Sequence, residues 1–150
     1  MKDKSSEIVH LAGVVLDACN AAIEKAKPYP IEVDSRPEIG EYLQVINDAA
    51  GTLLQMIEAD GESKLNSSNV HGWDFAPWLH EKSSMIREGA EDSMRYLQMD
   101  PAKVSLTRDA PRTAKQWIND GIMFGLETAQ KGAQAIFTMT FNDEIAITGQ

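Results

Sequence analysis

Residues 35–60, SRPEIGEYLQVINDAAGTLLQMIEAD, decide the fold class. Within them Ile39, Tyr42, Leu43, Ile46, Ala50, Leu53 and Ile57 recur every three or four positions. That spacing gathers apolar groups on one face of an α-helix. Ser35-Arg36-Pro37-Glu38 supplies a start. The serine hydroxyl can accept from the Glu38 amide, the Glu38 carboxylate can reach back, and Pro37 sits in a first turn whose N–H groups lack helical partners anyway. Asp60-Gly61 supplies a stop. A helix over about 36–60 follows.

Comparable stripes lie on either side. Over 6–27, Ile8, Leu11, Ala12, Val15, Cys19, Ala22 and Ile23 keep helical spacing until Pro28 and Pro30 end it. Residues 61–72 are polar and turn-rich and read as a long loop. A third helix, about 75–98, starts with Asp74 as N-cap and Pro77 in its first turn; it turns Trp78, Leu79, Met85, Ile86, Ala90, Met94 and Leu97 inward and stops at Asp100-Pro101. A fourth stretch, about 110–134, opens at Asp109-Ala110-Pro111 and carries Ile118, Ile122, Ala129, Ala133 and Ile136. Asn119-Asp120-Gly121 is a stop signal inside it, so this stretch reads as one helix or as two meeting at Gly121. Gly121, Gly125 and Gly132 fall near one face, where small residues admit a close neighbour. At the C-terminus, Phe137, Met139 and Phe141 alternate with Thr138 and Thr140, and Ile145 and Ile147 resume the alternation after Asn142-Asp143-Glu144. That period of two predicts a small hairpin over 135–148, with continuation of helix four as its competitor. The expected fold is mainly α: one domain over 1–150, an antiparallel bundle of four to five helices with that terminal hairpin.

The chain's 14 Lys+Arg against 23 Asp+Glu leave a net charge of −9. Such a domain is repelled by phosphate backbones and by anionic lipid, so direct nucleic-acid binding and membrane binding are not expected, while a basic protein partner is. No apolar run approaches the roughly 20 residues of a membrane span. The N-terminus reads as an amphipathic helix rather than a signal peptide. Cys19 is the only cysteine, which rules out an intramolecular disulfide and agrees with a reducing, cytoplasmic setting. Its apolar neighbours mark it as a small core residue.

Motifs that carry chemistry are sparse. His10, His71 and His80 fall on different elements without the i, i+3 or i, i+4 spacing of paired metal ligands. Nucleophile-elbow, phosphate-loop and dinucleotide fingerprints are absent. No cofactor is expected. The carboxylates offer more. Arg87-Glu88-Gly89-Ala90-Glu91-Asp92-Ser93-Met94-Arg95 places Glu88, Glu91 and Asp92 within one helical turn, where oxygens three and four apart could converge on a hard cation. This run resembles the second acidic motif of the MazG-like, all-α nucleotide pyrophosphohydrolases. In that family a helix carrying Glu-x-x-Asp faces an earlier helix carrying Glu-x-x-Glu. The resemblance implies a Mg²⁺ site built on Glu88, Glu91 and Asp92. The earlier motif is replaced here by Glu58 and Glu62 at four-residue spacing around Gly61. Arg87 and Arg95 offer the competing reading, acids paired on a solvated face.

Trp73-Asp74-Phe75-Ala76-Pro77-Trp78 packs three aromatic side chains into six positions, more than one helix face can bury. Either Trp73 folds back as a hydrophobic staple, or part of the cluster anchors a partner. Asp74 and Glu81 give it an acidic rim suited to an Arg-rich surface. The function expected from these features is a non-enzymatic protein-binding module using an acidic face and the 61–80 junction, with Trp73, Asp74, Phe75, Trp78 and Glu81 in contact. Inhibitors, immunity proteins and chaperone-like accessory proteins of phages and bacteria share this profile by analogy. Homodimerisation through the glycine-lined helix or the hairpin is a secondary expectation.

Overall fold

A computed structural model describes residues 4–66, 75–107, 109–110 and 112–142, with side chains described over 7–58, 77–107, 109–110 and 112–138. Its elements are α1 (Lys4–Ala26), α2 (Ser35–Asn66), α3 (Phe75–Leu97), a 3₁₀ turn (Pro101–Lys103) and α4 (Ala114–Asn142). The four helices form a ring in which each packs on its two neighbours, α3 and α4 most extensively. Paired residues give the directions. Lys25 meets Glu38, Gln130 bonds Asn20, and the Leu97 side chain lies over Gly40. Each neighbour therefore runs antiparallel to the next. None of the described helices is long and apolar enough to cross a membrane.

The predicted stripes meet at the centre. Ile8, Val15, Ile39, Leu43, Ile46, Leu53, Leu79, Ile86, Ile118, Ile122, Leu126 and Ile136 are all essentially removed from water. At roughly 1.5–3 kcal/mol for each large aliphatic side chain buried, this shared core outweighs any single cap or ion pair. Tyr96 and Trp117 close one end of it edge-to-face, with ring centroids 5.0 Å apart.

Several sequence expectations change. α2 passes through Asp60-Gly61 and continues to Asn66, so 61–66 are helical rather than loop; a mid-helix glycine costs only about 1 kcal/mol, which the rest of the turn can offset. Ser35 begins α2 as predicted, but the Glu38 carboxylate is taken by Lys25 of α1 instead of reaching back to Ser35. The Ser35 amide donates to the Glu32 carbonyl at 3.0 Å. α4 starts at Ala114, four residues beyond the expected 110, because Thr113 and Gln116 form a reciprocal capping box: the Gln116 amide donates to Thr113 Oγ1 (3.2 Å) and the Thr113 amide to Gln116 Oε1 (2.9 Å).

α4 also runs unbroken through Asn119-Asp120-Gly121, so the described residues form four helices and not five. Gly121 is there for space, since a Cβ at that position would lie 2.5 Å from the Tyr96 ring. The hairpin is not formed: 135–142 continue α4, while 143–148 lie outside the described residues. The helical stripe Leu126, Ala129, Ala133, Ile136 extends to Phe137, which packs on the core and approaches Gly13 of α1. Burial of Ile136 in the core and packing of Phe137 beside Gly13 of α1 decide for helix over the short alternation.

The glycines seam α3 to α4. A Cβ on Gly89 would stand 2.5 Å from the Gly125 carbonyl oxygen, and one on Gly132 would stand 2.8 Å from the Lys82 carbonyl oxygen. Gly125 lies directly against Ser93, whose hydroxyl donates to the Ile122 carbonyl at 2.7 Å. The expected glycine-lined dimer face is therefore occupied inside the chain, and the hairpin route to a dimer disappears with the hairpin.

Candidate functional site

The residues expected to contact a partner lie where α3 begins. Trp73 and Asp74 are outside the described residues, and Phe75 is the first residue of α3, with its side chain not described. Trp78 is partly buried against the core, one position before the fully buried Leu79. Glu81 is exposed, 3.8 Å from Lys82 Nζ. The α3 stripe thus takes much of Trp78 into the bundle and leaves Glu81 and His80 on the outside.

Beside this junction, α2 and α3 leave two adjoining open clefts of about 560 and 390 Å³. Asp48, Gln55 and Glu58 of α2 line the first; His80, Ser84, Glu88 and Glu91 of α3 line the second; Leu54, Glu58 and Arg87 belong to both. The result is one groove running from the middle of α2 to the start of α3. Helical periodicity builds it. Asp48, Gln55 and Glu58 share the outer face of α2, and Ser84, Glu88 and Glu91 the outer face of α3, with Leu54 exposed just enough to form an apolar floor.

The groove is acidic. Four carboxylates, from Asp48, Glu58, Glu88 and Glu91, face one guanidinium, and Arg87 already donates through Nε to Glu91 Oε1 at 3.1 Å. The Asp48 carboxylate accepts from Gln44 Nε2 at 2.8 Å. Glu58 and Glu88 are in no ion pair among the described residues. Sequence reasoning had placed Glu58, Glu88 and His80 in other roles and had not singled out Asp48 or Leu54. The groove depends on how α2 meets α3, and that register is not written in either helix alone.

The metal-binding alternative gathers less. Glu91 pairs with Arg87, while Asp92 turns to the other side of α3 and pairs with Arg95 at 3.3 Å. There Asp92 lines a separate α3–α4 cleft with Tyr96, Trp117 and Phe124. Among the described residues no three His, Cys, Asp or Glu side chains stand close enough to hold an ion. Glu88, Glu91 and Asp92 share a helical turn but not a focus. His10 and His80 are both exposed on helices that are not neighbours in the ring, and His71 lies outside the described residues.

Cys19 is fully buried, and burial pushes its thiol from its ordinary value of 9.0 up to about 12. It is packing, as the sequence indicated, because a thiolate is needed for attack or ligation.

The chain matches no protein-family model, no curated protein and no solved structure.

Proposed function

We propose that this chain is an acidic protein-binding module that takes a basic segment of a partner protein along the α2–α3 groove, with the 61–80 junction as its adjoining anchor. The observation that carries this reading is the lining: four carboxylates, one already-paired arginine and the apolar floor of Leu54. A partner segment bearing Lys or Arg on one face and an aliphatic side chain between them complements it in sign and polarity. Electrostatic steering by the whole chain, at −9, acts in the same direction and raises the rate of encounter. His80 lines the groove and Glu81 follows it, so the groove reaches the first described side chains of α3. The class fits an inhibitor, an immunity protein or a chaperone-like accessory protein of phage or bacterial type, by analogy of profile alone.

The test is affinity capture from cell lysate with quantitative mass spectrometry, comparing the native chain with Glu58→Lys/Glu88→Lys. Both side chains are exposed, so the double variant should keep its fold. The native chain should retain one dominant basic protein at about 50 mM salt and lose most of it near 500 mM, where the screening length falls well below 10 Å. The double variant should retain none. An identical protein set on both baits would sink the reading.

A further inference from the structure

At the opposite end of the bundle from the 61–80 junction, the linker between α1 and α2 and the start of α4 enclose a cleft of about 330 Å³. That is the lower end of the range for small-ligand pockets. Pro30, Ile31 and Val33 form an apolar wall, and Val33 is 80% exposed. The polar lining is Arg36, Lys115 and Asn119, and among the described residues it contains no carboxylate. In a chain of net charge −9 this is a cationic spot.

Of the nearby acids, Glu32 and Glu38 act on Lys25, Asp100 accepts from the Ala102 amide at 3.0 Å, and Asp34, exposed on the same linker, is not among the residues lining the cleft. Three polar groups in the lining keep unused capacity. Arg36 gives one N–H to the Leu97 carbonyl at 3.4 Å, which leaves most of its five donors. Lys115 has no hydrogen bond or ion pair among the described residues. Asn119 Oδ1 is buried without a hydrogen-bond partner. Lys115 is also placed against local electrostatics. It sits in the first turn of α4, which holds no acidic residue, at the end where a helix favours anions over cations.

We propose that this cleft binds the C-terminal carboxylate of another polypeptide ending in an aliphatic residue. The carboxylate takes the charges of Lys115 and Arg36, and the terminal side chain lies against Pro30, Ile31 and Val33. Both cations then have a partner of the right kind, and the exposed valine is covered. The site is independent of the acidic groove and can fail or stand without it.

N-acetyl-leucine is the minimal probe and N-acetyl-leucinamide its uncharged control. In a ¹⁵N NMR titration the acid should shift amides in 30–36 and 115–119 with a Kd on the order of 1 mM, the scale for a ligand of this size. The amide should bind at least fivefold more weakly. Lys115→Glu should abolish binding of the acid while leaving Tm equal or slightly higher, because it replaces a disfavoured cation in the first turn by a favoured anion. Equal affinity for acid and amide would overturn the proposal. So would unchanged affinity in Lys115→Glu, or shifts that map to other parts of the bundle.

Discussion

Cys19 illustrates how one buried group makes stability depend on pH. In the unfolded chain its thiol ionises near 9.0, whereas in the core it holds its proton up to about 12. The folded pKa is the higher one, so this contribution to stability is complete below about pH 9 and is lost as pH rises towards 12. Lys25 acts in the same direction, since its hydrogen bond to Glu38 raises its pKa above the ordinary lysine value. Urea midpoints should therefore hold steady from pH 7 to 8.5 and fall from pH 9 to 11, by up to about 1.4 kcal/mol per pH unit from the thiol. Cys19→Ala will be less stable at pH 7 but should show a shallower alkaline decline. A decline of equal slope in that variant would mean that the thiol does not ionise against the fold. The sequence made this residue legible, because six apolar positions around it in α1 already marked a core stripe.

At the scale of elements, identical substitutions should have opposite signs at two glycines. Gly51 lies in mid-α2 with nothing within 4 Å of a built Cβ, so Gly51→Ala should stabilise by about 0.5–1 kcal/mol through backbone entropy alone. Gly125 is pressed on Ser93 and on the Gly89 carbonyl oxygen, where the Cβ would fall at 2.5 Å. Those are largely backbone atoms of another helix, which no rotamer change can move. Gly125→Ala should cost about 1–3 kcal/mol net, as α3 and α4 separate. Thermal melts of both variants check the pair; a stabilised Gly125→Ala would mean that the α3–α4 seam is looser than described. The glycines were visible in the sequence as a face that admits a close neighbour, but not the identity of that neighbour. The same limit explains the other departures. Asn119-Asp120-Gly121 and Asp60-Gly61 are stop signals by local chemistry, overruled where α4 packs on Tyr96 and where α2 simply continues. Alternation at 137–141 spanned only five residues and yielded to the burial of Ile136 in the core and the packing of Phe137 beside α1. The Thr113/Gln116 box that starts α4 was in the sequence all along and was masked by the earlier start signal Asp109-Ala110-Pro111.

For the whole molecule, the bundle presents two surfaces of opposite character: an acidic groove between α2 and α3, and a small cationic cleft at the end where α2 and α4 begin. Composition announced the first in outline, as an acidic chain that avoids phosphate and favours basic partners. It could not show that Asp48, Glu58, Glu88 and Glu91 share one groove while Asp92, within the same turn as Glu88 and Glu91, faces a different one. On the proposed function, this groove receives basic side chains of a partner. Zero-length carbodiimide coupling tests it most directly, because it joins a carboxylate to an amine only where the two are already in contact. With the captured partner present, cross-linked peptides should join partner lysines to Glu58, Glu88 or Asp48, and Glu58→Gln/Glu88→Gln should remove most of the yield. Cross-links concentrated instead on Glu24, Glu41 or Glu127, with a yield indifferent to that double substitution, would contradict the account.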